Sequence, residues 1–145
     1  MLLVADSGST KTEWGVFNNG HSNKYVTQGI SPYFQTVTQI QEIIANELLV
    51  GIESPGLISE IYYYGTGCNL PANIETLCTA LQSCFNNARI NVADDLVGSA
   101  RAMCSRTEGV VCILGTGSSS GYFDGKRIVV SRPGLGFILR DEGSG

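Results

Sequence analysis

Two short stretches carry the residue types that phosphate chemistry needs. Asp6-Ser7-Gly8-Ser9-Thr10-Lys11 follows an apolar run at residues 2–5, and Gly115-Thr116-Gly117-Ser118-Ser119-Ser120-Gly121 follows another at residues 109–114. A turn of glycines and hydroxyl residues offers backbone N–H and side-chain O–H groups to phosphate oxygens. Glycine, without a Cβ, lets a ligand approach the backbone closely. In the first stretch Asp6 adds a carboxylate able to hold Mg²⁺ directly or through its waters, and Lys11 adds a cation. Neither stretch is a G-x-x-x-x-G-K-[ST] loop, and Gly115-Thr116-Gly117 does not continue as GxGxxG, so Walker and Rossmann sites are not indicated.

Asp94-Asp95 is a third candidate, between strand-like residues 89–93 and a helical pattern at about residues 96–105. Carboxyl strand ends are where ligands bind in open α/β sheets. Two readings of the pair stand side by side: a helix cap and macrodipole partner, or a general base facing a cleft. Adjacent aspartates can divide those roles. Asp141-Glu142-Gly143-Ser144-Gly145 is a further acidic element, readable as a tail or as a helix entry. The single histidine, His21, lies in Asn18-Asn19-Gly20-His21-Ser22-Asn23, which reads as a loop tip, so His-based triads and His-rich metal centres have no basis. Cys68, Cys78, Cys84, Cys104 and Cys112 include no C-x-x-C pair and sit in apolar contexts, as buried free thiols of a reducing cytosol do.

These groups must be positioned by strands and helices that the apolar pattern outlines. Residues 2–5, 13–17 and 24–28 read as strands, the last two joined by an Asn-Gly hairpin turn. Residues 35–49 and 72–85 repeat apolar side chains at helical spacing, with Gly51 placed like a C-cap and Pro71 near the second helix start. Residues 60–64 form a strand leading into Gly65-Thr66-Gly67. Residues 109–114, 122–123 and 127–130 are strands, with Asp124-Gly125 as a hairpin signal. Three hairpin strands followed by alternating helices and strands predict a mixed sheet in an α/β architecture.

Strand, Gly/hydroxyl turn, aromatic strand and Asn/Asp-Gly turn occur twice, near each end of the chain. The repeat predicts two pseudo-equivalent lobes facing each other across a cleft: a first lobe at residues 1–108 and the opening of a second, cut short, at residues 109–145. A lobe lacking its partner elements would expose apolar surface and favour association, including a homodimer.

Composition narrows the classes further. With 43% hydrophobic and only 15% charged residues, against roughly 25% charged in an average domain, disorder is excluded. A net charge of −4 gives no footprint for nucleic acid or anionic lipid. No apolar run approaches the ~20 residues of a membrane span, and the start MLLVADSG lacks a secretory signal pattern. The expectation is a cytoplasmic protein with neither nucleic-acid nor membrane partners.

Four segments in order, DSGSTKTEW (6–14), VADDLVGSA (92–100), GVVCILGTGSSSGY (109–122) and GLGFILRDEGSG (134–145), give the chain a family resemblance. It resembles the N-terminal part of the BadF/BadG/BcrA/BcrD-type ATPases, which include N-acetylglucosamine kinases, within the actin/hexokinase/Hsp70-like ATPase superfamily. The resemblance implies a ribonuclease-H-like lobe with a mixed five-stranded sheet, ATP and Mg²⁺ in an interdomain cleft, and phosphoryl transfer to the hydroxyl of a sugar or amino sugar. By position it implies Gly8, Ser9, Thr10 and Lys11 in the first phosphate loop and Gly115, Thr116, Gly117 and Ser118 in the second. It further implies Asp6 toward the metal, Asp95 (of Asp95-x-x-Gly98-Ser99) as catalytic base in preference to Asp94, and Ser31, Tyr33, Ser119 and Asp141 at the sugar. Ser119 stands where such kinases carry asparagine, and Leu135 where an aromatic is expected, so which sugar is left open. Two alternatives on the same scaffold are an ATPase that activates a dehydratase, whose C-G-G-Q-D-like cluster element is absent, and a non-catalytic nucleotide or sugar sensor.

Overall fold

The computed structural model describes residues 1–115 and 118–132. The chain divides into two compact units, Met1–Asp95 and Leu96–Gly145.

The first unit is built on a five-stranded mixed sheet. Its strands are β1 (Leu2–Ser7), β2 (Lys11–Asn18), β3 (His21–Gln28), β4 (Glu60–Gly65) and β5 (Arg89–Asp94), in the spatial order β3-β2-β1-β4-β5. β1, β4 and β5 run parallel, and β2 and β3 are antiparallel additions. Alternation in the sequence becomes rows across the sheet. Val16, Leu3 and Ile61 share one row, and Trp14, Ala5 and Tyr63 the next, all buried. Helices α1 (Val37–Ile43) and α2 (Pro71–Cys84) supply Ile40, Ile43, Leu77, Ala80 and Leu81 to the same core. Trp14 and Tyr63 meet with ring centroids 6.0 Å apart, and Trp14 Nε1–H donates to buried Thr27 Oγ1 at 3.0 Å, so the indole's polar edge is satisfied inside.

Several boundaries differ from the apolar pattern for identifiable reasons. β3 starts at His21, paired with Asn18 across Asn19 (φ 46°) and Gly20 (φ 85°). The Asn-Gly turn is therefore as expected, but His21 is an exposed strand residue and not a loop tip. Its neighbours Ser22, Asn23 and Lys24 are exposed, so hydrophobic alternation could not mark them. The first helix begins at Val37 behind a Thr36–Gln39 capping box, because the Gln35 side chain is engaged in the preceding loop. After Ile43 it widens into a π turn at Ile44–Leu48, then tightens into a 3₁₀ turn at Leu49–Gly51. The wide turn keeps Ile44 and Leu48 in the core while Glu47 accepts from the Gln28 backbone at 2.8 Å and side chain at 2.7 Å.

The second unit is described through residues 96–115 and 118–132. Helix α3 (Asp95–Cys104) begins on the last residue of the first unit. Strands β6 (Gly109–Leu114), β7 (Ser118–Phe123) and β8 (Ile128–Arg132) form an antiparallel meander. Leu96 and Ala100, one helical turn apart, pack with Val111 and Phe123 in a small core. Ser118, Ser119 and Ser120 are strand residues, where the composition suggested a turn. In the β7–β8 turn Asp124 takes the first position. Its carboxylate accepts from the Lys126 and Arg127 N–H groups at 2.8 Å each, and Gly125 adopts φ 89°. Those two donors hold the Asp124 carboxyl below its ordinary range.

Candidate functional site

Parallel pairing sets the site. Ser7 lies opposite Gly65, and Gly65 opposite Asp94, so the carboxyl ends of β1, β4 and β5 finish in line. The residues just beyond those strand ends are therefore gathered on one edge of the sheet: the Gly8–Lys11 turn, Thr66-Gly67, and Asp95.

The first turn is held from beneath by buried hydroxyls. Thr27, Thr12 and Ser7 occupy one row with Gly65 and Asp94. Ser7 Oγ lies 2.7 Å from Thr12 Oγ1 and donates to the Ile30 carbonyl at 3.1 Å. The turn closes with Gly8 N–H on the Lys11 carbonyl at 3.0 Å, and the Gly29 N–H reaches the Thr10 carbonyl at 3.1 Å. A Cβ on Gly29 would lie 2.3 Å from the Ser9 carbonyl oxygen, so only glycine permits this approach. Ser31 is buried, its N–H donating to Gln35 Oε1 at 2.7 Å, whereas Tyr33 is about half exposed (49%) and rests its ring on Gly67.

Asp6, Glu13, Asp94 and Asp95 lie close to this edge. Asp6 stands directly across from Glu13, and like charges in that position repel. The Asp6 carboxyl is accordingly raised above its ordinary value, first by partial loss of water, then by Glu13 and Asp95, with Lys11 opposing. Lys11 pairs with Glu13 instead, which raises the ammonium and lowers the Glu13 carboxyl. Asp95 is half-buried in the first turn of α3, and Thr66 Oγ1 donates to its Oδ2 at 2.9 Å. Cys68, buried beside Asp94 and Asp95, is pushed up to about 12 by burial and then by those charges, so its thiol stays protonated and unreactive.

The first unit thus brings together Asp6, Gly8, Ser9, Thr10, Lys11, Ser31, Tyr33 and Asp95. Gly115 follows β6, while Ser118 and Ser119 open β7, all three in the second unit. Thr116, Gly117 and Asp141 lie outside the described residues. The sequence assigns no role to Thr12 or Thr66, and it names Ser7 only within the Asp6–Lys11 stretch. Gly65-Thr66-Gly67 repeats the strand-end grammar of Gly115-Thr116-Gly117, and that signal could have drawn attention to it.

Metal chemistry can be tested on these donors. Among the described residues no group of three or more His, Cys, Asp or Glu side chains is arranged to hold a metal. Mg²⁺ asks for less, since it usually keeps several waters and takes one or two carboxylates plus phosphate oxygens. A hard carboxylate under like-charge repulsion, as Asp6 is, fits that demand. Among the described residues no helix is long and apolar enough to cross a membrane.

The strand order, the mixed pairing and the flanking helices make up a ribonuclease-H-like lobe of the actin-like ATPase fold. No protein-family model matches the chain, and no curated protein does. Among solved structures it is similar to a candidate N-acetylglucosamine kinase of Porphyromonas gingivalis, with 44% identity and a TM-score of 0.93 over 99% of this chain and 52% of that one. It is also similar to the ethanolamine utilization protein EutJ of Carboxydothermus hydrogenoformans, at 15% identity and a TM-score of 0.57 over 94% of this chain and 53% of that one, a likeness of fold alone. The chain spans about half the length of each.

Proposed function

We propose that the protein bearing this chain is an ATP-dependent sugar kinase acting on N-acetylglucosamine or a related hexose or amino hexose. The observation that carries the reading is the in-register ending of β1, β4 and β5, with the Asp6–Lys11 turn and Asp95 on one sheet edge. The 44% identity to a candidate kinase of that class supports it.

Phosphoryl transfer asks a protein mainly for positioning and charge stabilisation. Gly8, Ser9, Thr10 and Lys11 form one phosphate loop, and Gly115, Thr116, Gly117 and Ser118 a second that opens another lobe from residue 109. Asp6 would hold Mg²⁺, which when bound would offset the charge of the ATP phosphates. Ser31 and Tyr33, with Ser119 and Asp141, contact the sugar. Asp95 accepts the proton of the reacting sugar hydroxyl. The O–H bond breaks, the oxygen's electron pair forms a bond to the γ-phosphorus, and the bond from that phosphorus to ADP breaks, leaving ADP and a sugar phosphate. A cytoplasmic enzyme meeting ATP and a small soluble substrate is consistent with this chemistry.

The test is coupled ADP release by the full-length protein against a panel of hexoses and N-acetylhexosamines. Sugar-dependent release is expected, strongest with an N-acetylhexosamine. ATP binding without turnover on any sugar would overturn the kinase reading in favour of a nucleotide sensor.

A further inference from the structure

The Gly65-Thr66-Gly67 turn has no part in the phosphate or sugar assignments, yet it touches three parts of the site. Its main chain is pinned: Thr66 N–H donates to the Ser7 carbonyl at 3.2 Å, and Cys68 N–H to the Gly65 carbonyl at 3.2 Å. Buried Asn73 donates its Nδ2–H to the Gly67 carbonyl at 3.0 Å, fixing the turn from the α2 side. Gly67 adopts φ 81°, and a Cβ there would lie 2.3 Å from the Tyr33 ring, so the aromatic sits where a side chain would be. From this anchored turn Thr66 Oγ1 donates to Asp95 Oδ2 at 2.9 Å.

We infer that Thr66 is a positioning residue for phosphoryl transfer, fixing through Oδ2 the orientation in which the Asp95 carboxylate receives the substrate proton. The inference rests on the assignment of Asp95 as the base. Three physical points favour it. Thr66 hangs from the end of β1, the strand that also carries Asp6, so one frame sets the base and the metal-side carboxylate together. The Thr66 hydroxyl donating to Asp95 Oδ2 orients that carboxylate and adds no charge of its own. The Tyr33 ring on Gly67 places the loop assigned to the sugar against the turn that holds the base. A loop displacement would then be felt at Asp95 through two residues.

The experiment is a double-mutant cycle in the full-length protein, with ATP and N-acetylglucosamine, using Thr66→Val, Thr66→Ser and Asp95→Asn. Thr66→Val keeps shape and removes the donor. It is expected to lower kcat about 10- to 100-fold, as a base misplaced by a fraction of an ångström does, with KM for sugar and ATP little changed. Thr66→Ser keeps the hydroxyl and restores kcat. In the Asp95→Asn background Thr66→Val costs nothing further, because its effect runs through Asp95. Thermal midpoints, with Thr66→Ala as a second donor-free variant, separate misfolding from misplacement. Full turnover of both donor-free variants beside an inactive Asp95→Asn overturns the inference and leaves the kinase reading standing. An equal further loss in the double variant also overturns it, since Thr66 would then act independently. Full turnover of Asp95→Asn removes the base assignment itself.

Discussion

The two meanders of the chain pair alike and pack oppositely. In each, a six-residue first strand runs antiparallel to the second, from Leu2–Phe17 to Ser7–Thr12 in one and from Gly109–Phe123 to Leu114–Ser118 in the other. Leu3, Ala5 and Ser7 therefore stand where Val110, Cys112 and Leu114 stand. The first three are buried, whereas Val110 is 74% and Leu114 72% exposed and Cys112 is exposed as well. The second meander buries its other face, Val111 and Phe123, against α3. Strand–turn–strand grammar thus sets pairing, while the elements laid on the sheet decide which face is interior. In the first unit β4 and β5 also end beside the first turn and bring Thr66 and Asp95 near Asp6.

The comparison can be broken or sharpened by substitution. The largest effect belongs to Asp95, where Asn is expected to lower turnover by about 10²–10⁴-fold while ATP binding, followed by calorimetry, persists. Next come the equivalent strand positions. Leu3→Ala is expected to cost about 2–5 kcal/mol in urea unfolding followed by Trp14 fluorescence, the single tryptophan being buried in the first unit. Val110→Ala, at the matching place, should stay within about 0.5 kcal/mol, read by amide exchange across β6–β8. Equal losses at both would mean that the two meanders bury the same face after all.

A smaller effect is expected at Ser7→Ala, which leaves buried Thr12 and the Ile30 carbonyl short of a partner, a loss of about 1–3 kcal/mol. An unchanged urea midpoint would show that the hydroxyl row does not brace the turn. The smallest is a gain. Asp6→Asn removes the repulsion from Glu13 and Asp95 and should stabilise the fold by less than about 1 kcal/mol at neutral pH, discounted because Asp6 is exposed. The Asp6 carboxyl is raised on folding, so wild-type stability from this group is present below the ordinary carboxylate range and is lost as pH rises through the raised value. The gain should accordingly vanish in acid. The same variant should lose phosphoryl transfer, a stability–activity exchange common at functional sites.

Much of this architecture was legible because its signals are local. Asn19-Gly20 marked a hairpin through the positive φ it needs, and the apolar run at residues 2–5 and the Trp14–Phe17 segment marked two strands. Asp95 was placed at a strand-to-helix junction by the end of one period and the start of another. The hidden features depend on partners far apart in sequence. Thr66 and Asp95 are 29 residues apart and meet only through the parallel register. Gly29 is a glycine because of Ser9, twenty residues earlier, and no local rule links them. The π turn at Ile44–Leu48 carries Glu47 to Gln28, nineteen residues earlier, a pairing no local rule shows.

The central claim is transfer of the ATP γ-phosphoryl group to a sugar hydroxyl with Asp95 taking the proton. Its most direct measurement is phosphorus NMR of the full-length protein with Mg²⁺, ATP and N-acetylglucosamine, beside the Asp95→Asn variant. The account predicts a sugar phosphomonoester resonance growing in step with ADP in the wild type and nearly absent in the variant. ADP appearing only with inorganic phosphate, or a monoester formed equally fast by the variant, would contradict it.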